Sequence, residues 1–277
     1  MIDLTKIAGF GIAGNFAHHL EQAGESADFV DVKVDDENAP KGIFPFYLPT
    51  FDGFIGTYPI SSDSIVNVEG ESLQMEPEVA LLCDVIYKDE KVTQIKPKAF
   101  TAYNDCSIRR PGAKKISEKK NWGQNSKGVS LDFKEIDTFS SGGVMDYYRI
   151  ASFIKRDGKL IAYGEDTQML GYSYFYETLI EWMVTKFQSQ TDQGPLEAIG
   201  TYLKSVDLPE TFLISIGATR YTEFGEHHFL ENGDELFVLL YDTRYENEEA
   251  IEKKLTKGET LHHSSSLLHQ KVIEGSK

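Results

Sequence analysis

Residues 6–24 read KIAGFGIAGNFAHHLEQAG, and the fold turns on what the glycines in this stretch do. Gly9, Gly11 and Gly14 spell G-x-G-x-x-G after the apolar Ile7 and Ala8 and before a helix-like run. Asp31, Asp35 and Asp36 follow near the spacing of a ribose-binding carboxylate. Alone, this is a dinucleotide-binding fingerprint. The downstream sequence argues against it, because a doubly wound domain continues in further β-α-β units. After residue 35 this chain is instead rich in β-like runs and poor in helical ones. The glycines are therefore expected to form a tight turn with close backbone approach. Residues 9–14 are expected to bind no dinucleotide, and an NAD(P)-linked oxidoreductase has only this motif in its favour.

Working outward, residues 35–54 are rich in Pro, Gly and aromatics and predict loop with short extended pieces. Strands are predicted at IVNVEGE and across EVALLCDVIYKDEKVTQI, the latter turning at KDEK. YYRIASFIKRDGKLIAYGED predicts a hairpin turning at Arg156, Asp157 and Gly158. YFYETLIEWMVTKF has helical apolar spacing at Phe175, Leu179, Trp182 and Met183, and PLEAIGTYLKSV predicts a second helix. Two further strands bracket a glycine-rich turn region at residues 211–245. The tail beyond Tyr245 predicts a charged helix followed by a mobile end.

At 277 residues, 40% hydrophobic, the chain is long enough to bury a sizeable core. A formal charge of -16 disfavours duplex nucleic acid and anionic membrane surfaces as partners. Cys83 and Cys106 make neither a disulfide framework nor a thiolate zinc site, and they fit a reducing compartment. No signal-peptide pattern and no membrane-length apolar run is seen, so the expected location is cytoplasmic.

The chemistry gathers at MEPEV, residues 75–79. Glu76 and Glu78 lie two apart, hence on one side of an extended strand, directly before the apolar VALLCDV. Asp105 sits in a second apolar segment, AYNDCSIRR. Three carboxylates make a hard oxygen site suited to Mg²⁺ or Mn²⁺. A solvated strand edge and a turn cap explain the same spacing, and spacing alone leaves both readings open.

The order of these pieces resembles the fumarylacetoacetate hydrolase (FAH) superfamily over roughly residues 7–242. GNFAHH supplies Asn15, Phe16 and His19, IFPFYLPT the aromatic-Pro segment, and MEPEV the Glu-x-Glu pair. NDCSIRR supplies Asp105, Ser107 and Arg109, with Asp105 27 residues after Glu78. NWGQNSKG supplies Trp122 and Lys127-Gly128, and SIGATRYTEFG supplies Gly217 and Thr219. The resemblance implies an α+β fold, a mixed β-roll with peripheral helices, commonly dimeric. It implies one catalytic domain over 1–245, residues 1–50 carrying the Asn/His element, and a charged extension over 246–277. It also implies Mg²⁺ or Mn²⁺ on Glu76, Glu78 and Asp105, with Lys127 and His19 as catalytic residues. Gly217 and Thr219 would contact a small-molecule 2-oxo acid or β-dicarbonyl compound. The implied reaction is C–C bond hydrolysis or decarboxylation through a metal-held enolate, and Arg109 is expected to be a structural ion-pair partner.

Departures point to an alternative, a non-catalytic binding or scaffold protein on the same fold. The family places an acid three residues after the histidine; here that position is Gln22, and Glu21 lies one residue earlier. On a helix those two side chains diverge by about 100°. Residues 189–206 read as an insertion. Of the five lysines in KKISEKKNWGQNSKG, most are expected to be solvated.

Overall fold

The structure is a computed structural model that describes residues 2–275 except Asp31, Lys33, Asp35 and Pro111. The architecture is α+β, built on two mixed sheets. The larger contains β1 (Ala8–Ala13), β2 (Gly42–Tyr47), β3 (Ile60–Ser61), β6 (Pro77–Lys88), β7 (Lys91–Asn104), β9 (Lys127–Val129), β10 (Lys134–Glu135) and β13 (Thr211–Ser215). Its order is β2-β1-β13-β6-β7-β9-β3, with β10 against β7. The second runs β12 (Lys159–Gln168), β11 (Tyr148–Arg156), β14 (Glu235–Asp242), β15 (Ser266–Glu274), β4 (Ser64–Asn67). A small ribbon pairs β5 (Leu73–Gln74) with β8 (Ser107–Ile108).

Both long hairpins turn where the sequence predicts. Asp89 and Glu90 carry positive φ between β6 and β7, as do Asp157 and Gly158 between β11 and β12, so the turn twist matches that of the strands. Strand β6 is buried on both faces. Val79, Leu81, Cys83 and Val85 join the main core with Ile150, Ile154, Val238 and Leu240 of the second sheet. Ala80 and Leu82 face a separate cluster with Leu4, Phe46 and Leu213. Helix α3 (Tyr176–Ser189) adds Leu179, Met183 and Phe187 to the main core, one face of the helix at four-residue spacing. Among the described residues no helix is long and apolar enough to cross a membrane.

The opening glycines do something other than cradle a phosphate. Gly9 and Gly11 lie within β1, where an added Cβ would sit 2.2 Å from the rings of Phe46 and Phe44. Only Gly14, at φ +72°, makes the turn. The helix that follows, α1 (His19–Gln22), is a single turn. Of the candidate ribose acids, Asp31 and Asp35 lie outside the described residues and Asp36 is exposed.

The tail departs from expectation. Helix α6 (Glu248–Lys257) forms, its first turn capped by the Asn247 side chain. Residues 266–274, expected to be mobile, form β15, hydrogen-bonded between β14 and β4. The reason is an alternation missed at the sequence level: Leu268, Gln270 and Val272 are buried, while His269 and Lys271 face out.

Residues 189–206 include helix α4 (Ile199–Ser205) and brace helix α2 (Ser117–Lys120). The Ser117 hydroxyl donates to Glu197 Oε1, and the Ile116 N–H donates to the Pro195 carbonyl at 3.0 Å. Burial pushes the Glu197 carboxyl up from 4.5 to about 7. A carboxyl raised by folding favours the native state at low pH, and that contribution is lost as pH rises through the folded value. Glu197→Gln is therefore expected to match the native protein near pH 4.5 and to be more stable at pH 8 by about 2–3 kcal/mol, roughly 4–10 °C in Tm. Thermal melts of both proteins from pH 4.5 to 8 check this; parallel curves would contradict it.

Candidate metal and substrate site

The β6–β7 pair opens out at Pro77 and Asn104, and the three acids stand at that end. The Asn104 side chain accepts the Glu76 N–H at 3.2 Å, and the Asp105 N–H donates to the Glu76 carbonyl at 2.9 Å. Gln270 of β15 accepts from the Asn104 amide at 3.0 Å, so the tail strand buttresses the site. Glu76, Glu78 and Asp105 are 3%, 2% and 0% exposed. Each offers a ligand oxygen within 4.8 Å of the others. Two oxygens on opposite sides of one Mg²⁺ lie about 4.2 Å apart. A contraction of under about 1 Å thus brings the set into range, and three hard oxygen donors fit the ion.

Every other site residue named from the sequence meets here. His19 donates from Nδ1 to the Thr219 carbonyl at 2.9 Å, and its Nε2 lies 4.0 Å from Glu76 Oε2. A carbonyl only accepts, so Nδ1 carries the proton and the neutral ring presents a lone pair on Nε2. Burial lowers the His19 pKa from 6.5 to about 4, which keeps the ring neutral at pH 7. Lys127, wholly buried on β9, donates to the Cys106 carbonyl and lies 3.3 Å from Asp105 Oδ1. Burial lowers its pKa. The Gly217 N–H donates to Glu78 Oε2 at 2.8 Å, and its carbonyl accepts from the Tyr172 hydroxyl at 2.9 Å. Both polar groups of Gly217 are thus engaged within the protein. Its φ of +114°, with a Cβ position 3.0 Å from the Asn15 Cβ, suits glycine alone. Asn15 ties this loop down, its amide donating to the Ile216 carbonyl at 2.8 Å.

Lys119, Lys120 and Glu25 were not anticipated in the buried cluster. Lys119, Lys120 and Lys127 are buried, so most of the five lysines of that segment are not solvated. Lys120 Nζ lies 2.7 Å from Glu76 Oε2 and 2.6 Å from Asp105 Oδ2. Glu25 is the buried acid of the N-terminal segment, whereas Glu21 is exposed. Arg109 spreads its fork over Glu25 at 2.8 Å, Gln74 at 2.7 Å, the Tyr221 hydroxyl at 2.9 Å and Glu76 Oε1 at 2.8 Å. Gln22, in place of the expected acid, donates to the Tyr221 carbonyl at 3.1 Å and accepts its N–H at 2.9 Å. Only the clustering of lysines in a chain of charge -16 hinted that some are buried.

The electrostatics divide the triad. Burial pushes the Glu76 carboxyl up, but Lys120 and Arg109 outweigh it and hold the group well below the carboxylate range. Burial, then the neighbouring Asp105, push Glu78 well above that range. Glu76 is thus ionised, and Glu78 favours its protonated form when no further cation is present.

Fold and site together define a protein with the architecture of the fumarylacetoacetate hydrolase family. A 2-keto-3-deoxy-D-arabinonate dehydratase, solved with magnesium and 2,5-dioxopentanoate, superimposes with a TM-score of 0.56 at 14% identity, covering 99% of this chain and 75% of that one. Yeast ynq8, a fumarylacetoacetate hydrolase family protein, superimposes with a TM-score of 0.54 at 13% identity, covering 98% and 94%. These likenesses establish the fold. By sequence, the chain belongs to the family of unknown function DUF5718, which it matches over residues 25–272. No curated protein matches the sequence.

Proposed function

We propose that this protein is a divalent-metal-dependent enzyme that acts on a small 2-oxo acid or β-dicarbonyl compound. The observation that carries the reading is the buried convergence of Glu76, Glu78 and Asp105 beside Lys127. A Mg²⁺ or Mn²⁺ ion held there would supply Lewis-acid polarisation of the substrate carbonyl and a fixed template. Lys127 sets an ammonium where negative charge develops on the substrate oxygen. His19 Nε2 takes a proton from water or substrate, with the ring oriented through Nδ1 by Thr219. With both polar groups of Gly217 engaged, the Thr219 hydroxyl is the substrate contact on that loop. Substrate reaches the site when residues 18–25 lift from Tyr221 and Arg109, since His19 is only 5% exposed in the closed arrangement.

Gln22 cannot accept a proton at neutral pH. Decarboxylation of an oxo acid, which needs less base assistance than hydrolysis, is therefore the favoured reaction. With Mn²⁺, the purified protein is expected to decarboxylate oxaloacetate and to hydrolyse acylpyruvates weakly. Lys127→Met should lower oxaloacetate turnover by about 100-fold or more, and Gln22→Glu should raise acylpyruvate hydrolysis. Robust native acylpyruvate hydrolysis, unchanged in His19→Ala, would sink this mechanism. One observation, Lys120 within the acidic cluster, favours the non-catalytic binding protein instead; absence of turnover on both substrates with metal bound would select it.

A further inference from the structure

The four oxygens of Glu76 and Asp105 each face a cation. Glu76 Oε1 meets Arg109 at 2.8 Å and Oε2 meets Lys120 at 2.7 Å. Asp105 Oδ1 meets Lys127 at 3.3 Å and Oδ2 meets Lys120 at 2.6 Å. A dication added to this set as it stands would take shared oxygens beside three fixed positive charges, so one cation has to give way.

The three are not equally free to leave. Arg109 is locked by Glu25, Gln74 and Tyr221 as well as by Glu76. Lys127 is held by the Cys106 carbonyl and lies 5.2 Å from the Trp122 ring centroid. Lys120 alone touches two acids of the triad. Its Nζ also lies 5.2 Å from the centroid of the Phe44 ring. An aromatic face of this kind receives an ammonium that leaves its carboxylates.

We propose that the Lys120 ammonium and a divalent cation are alternative occupants of the position shared by Glu76 and Asp105, so that metal binds this protein by displacing Lys120. The inference rests on the metal-enzyme reading above and makes Lys120 the residue that sets metal affinity. Empty of metal, Glu76 and Asp105 are neutralised from within by these cations, and neither has to be solvated to stay buried. Loaded, it gains a dication and a repositioned ammonium, both favourable to an anionic oxo acid.

The probe is Mn²⁺, titrated calorimetrically into the native protein, Lys120→Met and Lys120→Gln, with circular dichroism to verify folding. Both variants are expected to bind Mn²⁺ about tenfold or more tighter than the native protein, a difference of about 1.4 kcal/mol or more. Their melting temperatures should also rise further on Mn²⁺ addition. A second arm keeps the test open if neither variant folds. In the native protein, acetic anhydride labelling of Lys120, read by mass spectrometry, should increase when Mn²⁺ is present, because Lys120 is 3% exposed without it. Equal Mn²⁺ affinity in native and variant proteins, or labelling of Lys120 unchanged by bound Mn²⁺, overturns the proposal and leaves the metal site standing. No Mn²⁺ binding by any of the three proteins overturns both.

Discussion

Glu78→Gln is expected to fold as stably as the native protein in EDTA and to lose its response to metal. In the metal-free protein the Glu78 carboxyl favours its protonated form, because burial and the Asp105 charge disfavour the anion. A glutamine is nearly isosteric with that form and keeps an oxygen to accept the Gly217 N–H, at 2.8 Å in the native protein. No lysine or arginine pairs with Glu78 among the described residues, so the substitution strands no buried cation. What glutamine cannot supply is an anionic ligand. The Tm in EDTA should stay within about 2 °C of native, the Mn²⁺-induced rise expected of the native protein should be absent, and turnover should fall by about 100-fold or more. A variant that kept its Mn²⁺ increment would remove Glu78 from the metal site.

Asp105→Asn is expected to behave in the opposite way. Asp105 is wholly buried and faces two ammonium groups, Lys120 at 2.6 Å and Lys127 at 3.3 Å. Removing its charge leaves Lys127 with only neutral partners and Lys120 with Glu76 alone. Breaking a buried pair from one side costs about 3–5 kcal/mol. For a chain of this size that is a fall in Tm of about 10 °C, not recovered by Mn²⁺. Adding Lys120→Met to Asp105→Asn should restore part of the loss, because the second change removes one of the stranded cations. The double-mutant cycle would then be strongly non-additive. A simple sum would mean that the two side chains are not coupled. The contrast with Glu78→Gln is the sharper test: two acids of one triad, one expendable for folding and one not.

Much of this protein is legible from residue spacing. The hairpins at 88–91 and 156–158 and helix α3 follow from alternation, turn residues and apolar periodicity, all short-range properties. Glu76 and Glu78 share a side of the chain because residues two apart on an extended segment must. The failures have local reasons. The tail strand shows its alternation at Leu268, Gln270 and Val272, but the flanking serines, histidines and lysines mask it. The lysine-rich segment reads as solvated because composition does not tell which lysines find acids.

By itself, the sequence determined the order of the motifs, the identity of the three candidate ligand carboxylates and the absence of an acid at position 22. Those are covalent facts, and local pattern suffices to read them. Only the tertiary structure decided that Glu25, Arg109 and Lys120 join the cluster and that Gly217 spends its N–H on Glu78. It also decided that Gln270, 165 or more residues away from every acid of the triad, supports Glu76 through Asn104. The physical reason is that charge pairing in a buried site acts over ångströms in space, between strands and helices that only the folded sheets bring together.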